Sequence, residues 1–510
     1  MGELEILGES MRKQFVAIVI ALSLSPALSL RAHAREVVGY YPAWQWYDRD
    51  HKVRPATLPY EKLTVVNYAF FQPNADGSLS GTDPWADDNI LKGEMDWSTN
   101  QYKPNTSLTG AAHLHGVKVM VSIGGWTLSE LFPAIAADAG LRENFANACV
   151  GAIDAYGFDG IDIDWEYPGY AEHKGTTSDR ANFTLLLQAI RAKLDAHGAA
   201  NGRTYLLSAA MPAAPVRVAE IEMAKVAGIL DFMNVMTYDF FGAWDPVTGH
   251  NSPLYAQAQG DQNFSLDAAF RLYHVTYGIP SEKLNVGVGF YGRTFKGTAL
   301  FGSHQGPDMS TFSEDEGSPM YYNIVKAMAG GAYQRFWDAK SQVPYAVNAA
   351  GNSFISYDDP ESVGLKAAYA KANNARGVII WEITGDVMED GSTPLLDQIR
   401  AGFGDGRSSA SAFPAVRAAG GFGAMGEGTA AMRGDGLLIV SGIRGGSAPV
   451  RALLRDPGGR ALRMLENPVR SGNAFAFDPG KAGMRSGLYL IEIRYADGSR
   501  STAKFLATER

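Results

Sequence analysis

Three acidic residues alternate with apolar residues in the segment 158–168, which reads Phe-Asp-Gly-Ile-Asp-Ile-Asp-Trp-Glu-Tyr-Pro. Because side chains alternate across a β-strand, Asp162, Asp164 and Glu166 share one face, and the apolar residues between them share the other. The apolar residues indicate that the strand is buried on both sides. Like charges repel in a low dielectric and lose hydration on burial, so such a cluster implies a function.

The acidic cluster has the properties needed for acid catalysis. If Asp162 and Asp164 share protons and negative charge, the pKa of Glu166 rises, and Glu166 stays protonated near neutral pH. It can then protonate a leaving group. A calcium site is the first alternative, but the glycine and the later glutamate of an EF-hand loop are missing. A solvent-exposed acidic face is the second, and the apolar spacers argue against it. We expect neither a metal nor a cofactor.

The elements that position this cluster follow from the pattern of the chain. Short β-rich apolar runs alternate with amphipathic segments of helical period, which predicts an α/β fold, a closed (β/α)8 TIM barrel. Such barrels place catalytic groups at the carboxyl ends of their strands, which fits the position of Glu166 as the last acid of its segment. The eight runs are 37–41, 63–71, 117–123, 160–165, 205–210, 232–238, 284–290 and 377–381.

Further parts of the chain are predicted around the barrel, which we place at 35–403. The long separation of the last two runs predicts a small α+β insertion at 296–356. Residues 404–428 are rich in Gly, Ala and Ser, as a flexible linker is. Alternating apolar residues in 429–510 predict a small β-sandwich.

The start of the chain resembles a secretory signal. Arg12 and Lys13 precede an apolar run at 15–30, and Ala32-His33-Ala34 has the small residues that signal peptidase requires. We therefore expect a signal peptide at 1–34, with Met11 as an alternative start, and a secreted protein. A membrane anchor is the alternative, but the run is shorter than the ~20 residues that a span needs.

Composition and charge limit the class of partner. The 510 residues carry a net charge of −9, whereas nucleic acids and anionic membranes attract basic proteins. We expect a neutral substrate, no nucleic acid or membrane partner, and a monomer. The lone cysteine, Cys149, lies in an apolar helical stretch, and we expect a buried thiol.

Several separate motifs resemble those of glycoside hydrolase family 18 chitinases. The acidic segment is similar to the family signature Asp-x-x-Asp-x-Asp-x-Glu. Ser122-Ile-Gly-Gly-Trp126 resembles the motif of the third strand, Met236-Thr-Tyr-Asp239 that of the sixth, and Trp381-Glu-Ile that of the eighth. Residues 287–293, followed by an insertion, are similar to the bacterial chitinases that carry an α+β insertion. The resemblance covers roughly residues 36–403.

The resemblance implies a substrate-assisted reaction. In this family the N-acetyl oxygen of the substrate attacks the anomeric carbon, and an oxazolinium ion forms. By resemblance, Glu166 is the general acid and base, Asp164 accepts a hydrogen bond from the acetamido N–H, and Tyr238 donates one to the acetamido oxygen. Asp162 would share a proton with Asp164. The implied substrate is chitin or a chito-oligosaccharide.

The resemblance also implies a set of substrate-binding residues. Tyr40 and Ser122 would support Asp162. Trp381 would be the floor beneath the distorted sugar, and Trp126 would stack on the sugar at the leaving side. The other predicted contacts are Phe70, Gly125, Tyr167, Met236, Asp239, Tyr291 and Arg293, with Trp44 and Trp244 as weaker candidates.

Two alternative functions, and two alternative roles of the C-terminal segment, stay open at this point. A chitin-binding lectin on an inactive barrel is disfavoured because Glu166, Asp164 and Tyr238 are all present. An endo-β-N-acetylglucosaminidase acting on N-glycans would use the same catalytic strand. The C-terminal segment resembles the β-sandwich modules that end many secreted bacterial hydrolases, so we expect a sorting or spacer role. A chitin-binding module is the alternative, although no tryptophan follows Trp381.

Overall fold

A closed eight-stranded parallel barrel forms the centre of the structure. The computed structural model describes residues 35–404, apart from 298, 314 and 315, and eight strands between 426 and 507. We number the barrel strands β1 to β8 in chain order. They are β1 Glu36–Pro42, β2 Val65–Pro73, β3 Lys118–Gly124, β4 Gly160–Asp164, β5 Leu206–Met211, β6 Phe232–Val235, β7 Leu284–Gly289 and β8 Gly377–Trp381.

Strand β1 closes the barrel because it pairs with β2 on one side and with β8 on the other. Every other barrel strand pairs in parallel with its neighbours in chain order. Ser122 of β3 and Ser208 of β5 lie directly opposite Asp162 of β4. This register brings polar side chains of three neighbouring strands to one level inside the barrel. The predicted (β/α)8 fold is confirmed.

Three strands end earlier than the sequence predicts, and one of them is β7, which ends at Gly289 and not at residue 290. The prediction carried the fourth run to residue 165 and the sixth to residue 238, whereas β4 ends at Asp164 and β6 at Val235. At β6 the Thr237 hydroxyl accepts a bond from the amide of Gly287 and donates one to its carbonyl, each at 2.8 Å. The Thr237 side chain therefore replaces the backbone hydrogen bonds between β6 and β7 at this position, and the backbone of the chain is free to turn.

Helices cover the outside of the barrel and pack on its apolar outer face. Ile161 and Ile163 of β4 are fully buried in that layer, together with Cys149, which is a buried thiol as expected. Among the described residues, no helix is long and apolar enough to cross a membrane. The α-helices are Pro84–Leu91, Leu108–Leu114, Phe132–Ala137, Ala139–Tyr156, Asp179–Asn201, Pro215–Val218, Met223–Ile229, Leu266–Arg271, Tyr321–Ala329, Pro360–Ala372 and Pro394–Phe403.

An α+β insertion lies between β7 and β8. It contains the helix Tyr321–Ala329 and an antiparallel four-stranded sheet. The sheet begins before the predicted boundary at residue 296, because its first strand follows β7 almost directly. Its strands, in spatial order, are Gly292–Phe295, Phe354–Tyr357, Val343–Asn348 and Tyr333–Asp338.

The C-terminal segment forms a separate all-β unit. Its strands are Gly426–Met432, Leu438–Ser441, Pro449–Arg455, Ala461–Leu465, Val469–Ser471, Ala474–Phe477, Gly487–Tyr495 and Arg500–Ala507. The first begins inside the predicted linker 404–428, and its pairing with the last strand is parallel, whereas the other described pairings are antiparallel. The predicted sandwich packing, like the signal peptide at 1–34, lies outside the described residues.

Candidate active site

Asp162 is the buried centre of a hydrogen-bond network inside the barrel. One carboxylate oxygen accepts bonds from the hydroxyls of Tyr40 and Ser122, each at 2.8 Å. The other accepts from the Ser208 hydroxyl and from the Asn234 amide, the latter at 3.2 Å. Burial raises the pKa of Asp162, against these four donors, which lower it. The predicted supporting role of Tyr40 and Ser122 therefore has a direct structural basis.

Asp164 is buried without a complete set of partners. Its side chain is only 4% exposed, and one carboxylate oxygen, Oδ1, has no hydrogen-bond partner among the described residues. Burial raises the pKa of Asp164 well above its usual range, and the charges of Glu166 and Asp162 raise it further. The expected sharing of a proton between Asp162 and Asp164 stays a prediction.

Glu166 has the pKa of a general acid that works near neutrality. Burial is the main cause that raises its pKa to about 7, with a smaller contribution from the charge of Asp239. The sequence predicts a rise caused by repulsion from Asp162 and Asp164. Loss of hydration is the larger cause for Glu166, and the repulsion between Glu166 and Asp164 raises the pKa of Asp164. The Tyr167 hydroxyl donates a hydrogen bond to Glu166 and partly opposes the rise.

The backbone of Glu166 is held from both sides beyond the end of β4. Its amide donates to the Ser129 hydroxyl at 2.9 Å, and its carbonyl oxygen lies 2.6 Å from Nδ1 of His173. The hydroxyl of Ser129 in turn donates to the Gly125 carbonyl at 2.9 Å. The Glu166–Tyr167 peptide bond is cis. The acid is therefore positioned by loop contacts and not by strand pairing.

Tyr238 presents a buried phenol with an unused hydroxyl. The residue is 8% exposed, and its hydroxyl makes no hydrogen bond to the described residues. Its ring lies against Gly287, where a Cβ atom would come within 2.8 Å of it. Burial raises the pKa of Tyr238 well above its ordinary value, followed by the charge of Asp164, so the phenol keeps its proton and can donate.

The predicted sugar contacts after Tyr238 form one polar group. Asp239 has a left-handed backbone conformation, with φ of 57°. Its carboxylate accepts bonds from the Tyr291 hydroxyl at 2.6 Å and the Arg293 guanidinium at 2.8 Å. The Arg293 guanidinium also lies 4.9 Å from the centre of the Trp244 ring, which is exposed. The partly buried Met236 packs against the inner barrel residues.

An aromatic floor lies at the mouth of the barrel. Trp381 stacks on Phe70, with 5.7 Å between the ring centres, and contacts Tyr40 and Trp44 at 5.6 Å and 6.2 Å. Phe70 is buried beneath it, so it supports the floor, and its own sugar contact stays a prediction. Gly125, with φ of 91°, lies against the Phe70 ring, where a Cβ atom would approach within 2.8 Å.

Trp126, which follows β3 closely in the chain, is half-exposed. Its ring contacts His173 edge to face at 4.6 Å and packs against Tyr167 and Tyr170 at 6.4 Å and 5.6 Å. His173 therefore touches both Trp126 and the backbone of Glu166. Within the described part of the chain, no group of acidic, histidine or cysteine side chains is arranged to hold a metal ion.

Four residues of this site were missed by the sequence argument. Ser208 and Asn234 donate to Asp162, and Ser129 and His173 hold Glu166. Ser208 and Asn234 could have been found, since the alternation of β5 and β6 points them inward. Ser129 directly follows one short 3-10 helix and His173 ends another, and neither is long enough to give a periodic pattern in the sequence.

This arrangement can donate a proton at one position and bind an amide beside it. Glu166 supplies the proton, and the unpaired oxygen of Asp164 and the phenol of Tyr238 supply an acceptor and a donor. A barrel with such an acid, next to exposed aromatic rings that suit the apolar faces of sugars, is that of a glycoside hydrolase.

Comparisons with known proteins give the same class. Residues 36–386 match the family described as Glycosyl hydrolases family 18. Chitinase A1 of Niallia circulans is 36% identical over 72% of this chain, which spans 59% of that protein. Chitinase 1 of Aphanocladium album is 33% identical over 77% of this chain and 93% of its own length. The solved structure of chitinase ChiA74 from Bacillus thuringiensis superimposes with a TM-score of 0.64 at 26% identity, covering 93% of this chain and 85% of that one.

The family match extends over most of the barrel and its insertion. The chain therefore belongs to family 18 of the glycosyl hydrolases.

Proposed function

We propose that the protein is a chitinase, which hydrolyses β-1,4 bonds between N-acetylglucosamine units with retention of configuration. The family match and the relatives named chitinases support this activity. The geometry of the carboxylate cluster supports the mechanism. Glu166 acts first as general acid and then as general base.

One observation carries the proposal: a buried carboxylate oxygen beside the acid lacks a partner. Asp164 Oδ1 makes no hydrogen bond within the described residues, and the phenol of Tyr238, a residue that is 8% exposed, can donate beside it. An unpaired buried polar group is costly, so such groups mark a place where a ligand completes the bonding. An acetamido group has one donor and one acceptor, which matches the acceptor of Asp164 and the donor of Tyr238.

The reaction follows from these contacts. Glu166 protonates the glycosidic oxygen as the bond to the leaving sugar breaks, and the acetamido oxygen attacks the anomeric carbon to form an oxazolinium ion. Tyr238 and Asp164 orient the acetamido group, and the carboxylate of Asp164, which accepts from the acetamido N–H, stabilises the positive charge that develops there. Glu166, now ionised, removes a proton from the water that opens the ring, which restores the acid. Trp381 supports the distorted sugar from below.

We further propose that the protein is secreted and acts as a monomer on a neutral polysaccharide. The signal-like segment at 1–34 and the net charge of −9 support this assignment. The C-terminal unit would then serve in sorting or as a spacer.

The stereochemistry of the first product tests the mechanism. The full chain is incubated with the hexamer of N-acetylglucosamine, and the anomers formed are followed by proton NMR before mutarotation. The β-anomer is expected, because two inversions at the same carbon retain configuration. The α-anomer would refute substrate assistance. Release of glycans from a glycoprotein, with the hexamer left intact, would instead identify the N-glycan enzyme.

A further inference from the structure

A buried ion pair lies behind the loop that carries Tyr238. Lys366 of the helix Pro360–Ala372 and Asp358, just before that helix, are both almost fully buried, with 2.6 Å between Nζ and Oδ2. A buried ion pair is rarely more stable than well-packed apolar residues in its place, because dehydration of both charges offsets their attraction. Stability alone therefore does not account for this pair.

The pair is connected to the active site through one serine. Lys366 Nζ donates to the Ser252 hydroxyl at 2.7 Å, and that hydroxyl donates to the Thr237 carbonyl at 2.7 Å. Thr237 directly precedes Tyr238, and its own hydroxyl is bonded on both sides to the backbone of Gly287. The amide of Thr237 donates to the Val235 carbonyl at 2.9 Å, so the bond from Ser252 is the contact that fixes its carbonyl, directly before Tyr238.

Neighbouring contacts fasten the same loop to the insertion. The amide of Asn251 donates to the Ser356 hydroxyl at 2.8 Å, and Asn251 Oδ1 accepts from the amide of Asp239 at 3.0 Å. One residue earlier, His250 Nε2 lies 3.0 Å from the carboxylate of Asp338. The loop is therefore tied to the insertion and to the helix that follows it at three consecutive residues, 250–252.

We propose that Lys366, held by Asp358 and acting through Ser252, is a positioning residue for Tyr238. The charged ammonium of Lys366 can only donate, so the Ser252 oxygen must accept a hydrogen bond from it. The hydroxyl proton of Ser252 is then directed at the Thr237 carbonyl, which fixes the direction of the hydroxyl. The insertion and its following helix then determine the height of the phenol over Asp164. The kinetic effect expected from this inference rests on the proposed function, whereas the positioning of Tyr238 does not.

The test uses Ser252→Ala in the full chain, because this change breaks the relay and leaves the ion pair in place. With a chromogenic chito-oligosaccharide, kcat should fall roughly tenfold while KM stays within about twofold, since misplacement of a group that acts on the reacting acetamido affects the chemical step. In a Tyr238→Phe background the same change should cost less than about twofold, because the group that it positions is gone. Ser353→Ala, at a buried serine of the insertion bonded to Asp308 and Tyr333, is the matched control and should leave kcat unchanged.

Hydrogen exchange gives a readout that does not depend on turnover. The amides of 237–240 should exchange faster in Ser252→Ala than in the wild type, and at the wild-type rate in Ser353→Ala. A wild type without activity would count against the proposed function alone, and exchange would still decide the positioning role. Unchanged exchange at 237–240, or an equal loss of kcat in the wild-type and Tyr238→Phe backgrounds, would overturn the inference.

Discussion

The rate should fall as the pH rises through 7, because Glu166 must carry a proton to act as the acid. Burial raises the pKa of Glu166 to about 7. A group with that pKa is about 90% protonated at pH 6 and about 10% protonated at pH 8, so kcat/KM should fall about tenfold between them. The protonated form is the active one, so the loss lies on the alkaline side. The assay is kcat/KM for a chromogenic chito-oligosaccharide from pH 5 to 9 at constant ionic strength.

A single charge near the acid should move this alkaline limb. The carboxylate of Asp239 raises the pKa of Glu166, so Asp239→Asn should shift the limb to lower pH, and the uncompensated charge of Arg293 acts in the same direction. Asp245→Asn, on the same loop, is the control, because Asp245 is not among the causes of the shift. A rate that stays flat between pH 6 and 8, or a limb that Asp239→Asn leaves in place, would refute the reasoning.

Three further substitutions test residues that hold the active site in place or support the bound sugar. Gly125→Ala should lower the free energy of unfolding by about 1–3 kcal/mol, measured with urea, because φ is 91° and the new Cβ meets the Phe70 ring. Lys366→Met should cost about 3–5 kcal/mol in the same assay, since Asp358 is left buried without its partner. Trp381→Ala should lower kcat/KM by about tenfold or more through loss of the sugar floor, with an unchanged unfolding midpoint as the check on folding. If a variant gives the wild-type free energy of unfolding or the wild-type kcat/KM in its assay, the contact on which that prediction rests does not have the effect assigned to it.

The sequence predicted the barrel well because strand periodicity and burial are local properties. Alternation placed Asp162 and Asp164 on the inner face of β4, and the register then put Ser122 opposite Asp162. The ends of strands were less predictable. Thr237 ends β6 by replacing the backbone ladder with its hydroxyl, which depends on Gly287, fifty residues away in the chain.

The parts of the site that the sequence did not predict depend on contacts between distant loops. His173 reaches the carbonyl of Glu166, and Ser129 reaches its amide, from short connecting segments that have no periodic pattern. The cause of the raised pKa of Glu166 was also beyond sequence reasoning. Neighbouring charges can be identified from spacing, whereas the extent of dehydration depends on how the whole mouth of the barrel is packed.

The most direct test of the central claim is the turnover of Glu166→Gln beside the wild type. Both full chains are assayed at pH 6 on a chromogenic chito-oligosaccharide, and binding of an unlabelled oligomer is measured by calorimetry. The amide keeps the shape of the side chain and removes the proton, so turnover should fall by at least about a hundredfold while binding persists. Turnover by Glu166→Gln at the wild-type rate would contradict the assignment of the acid.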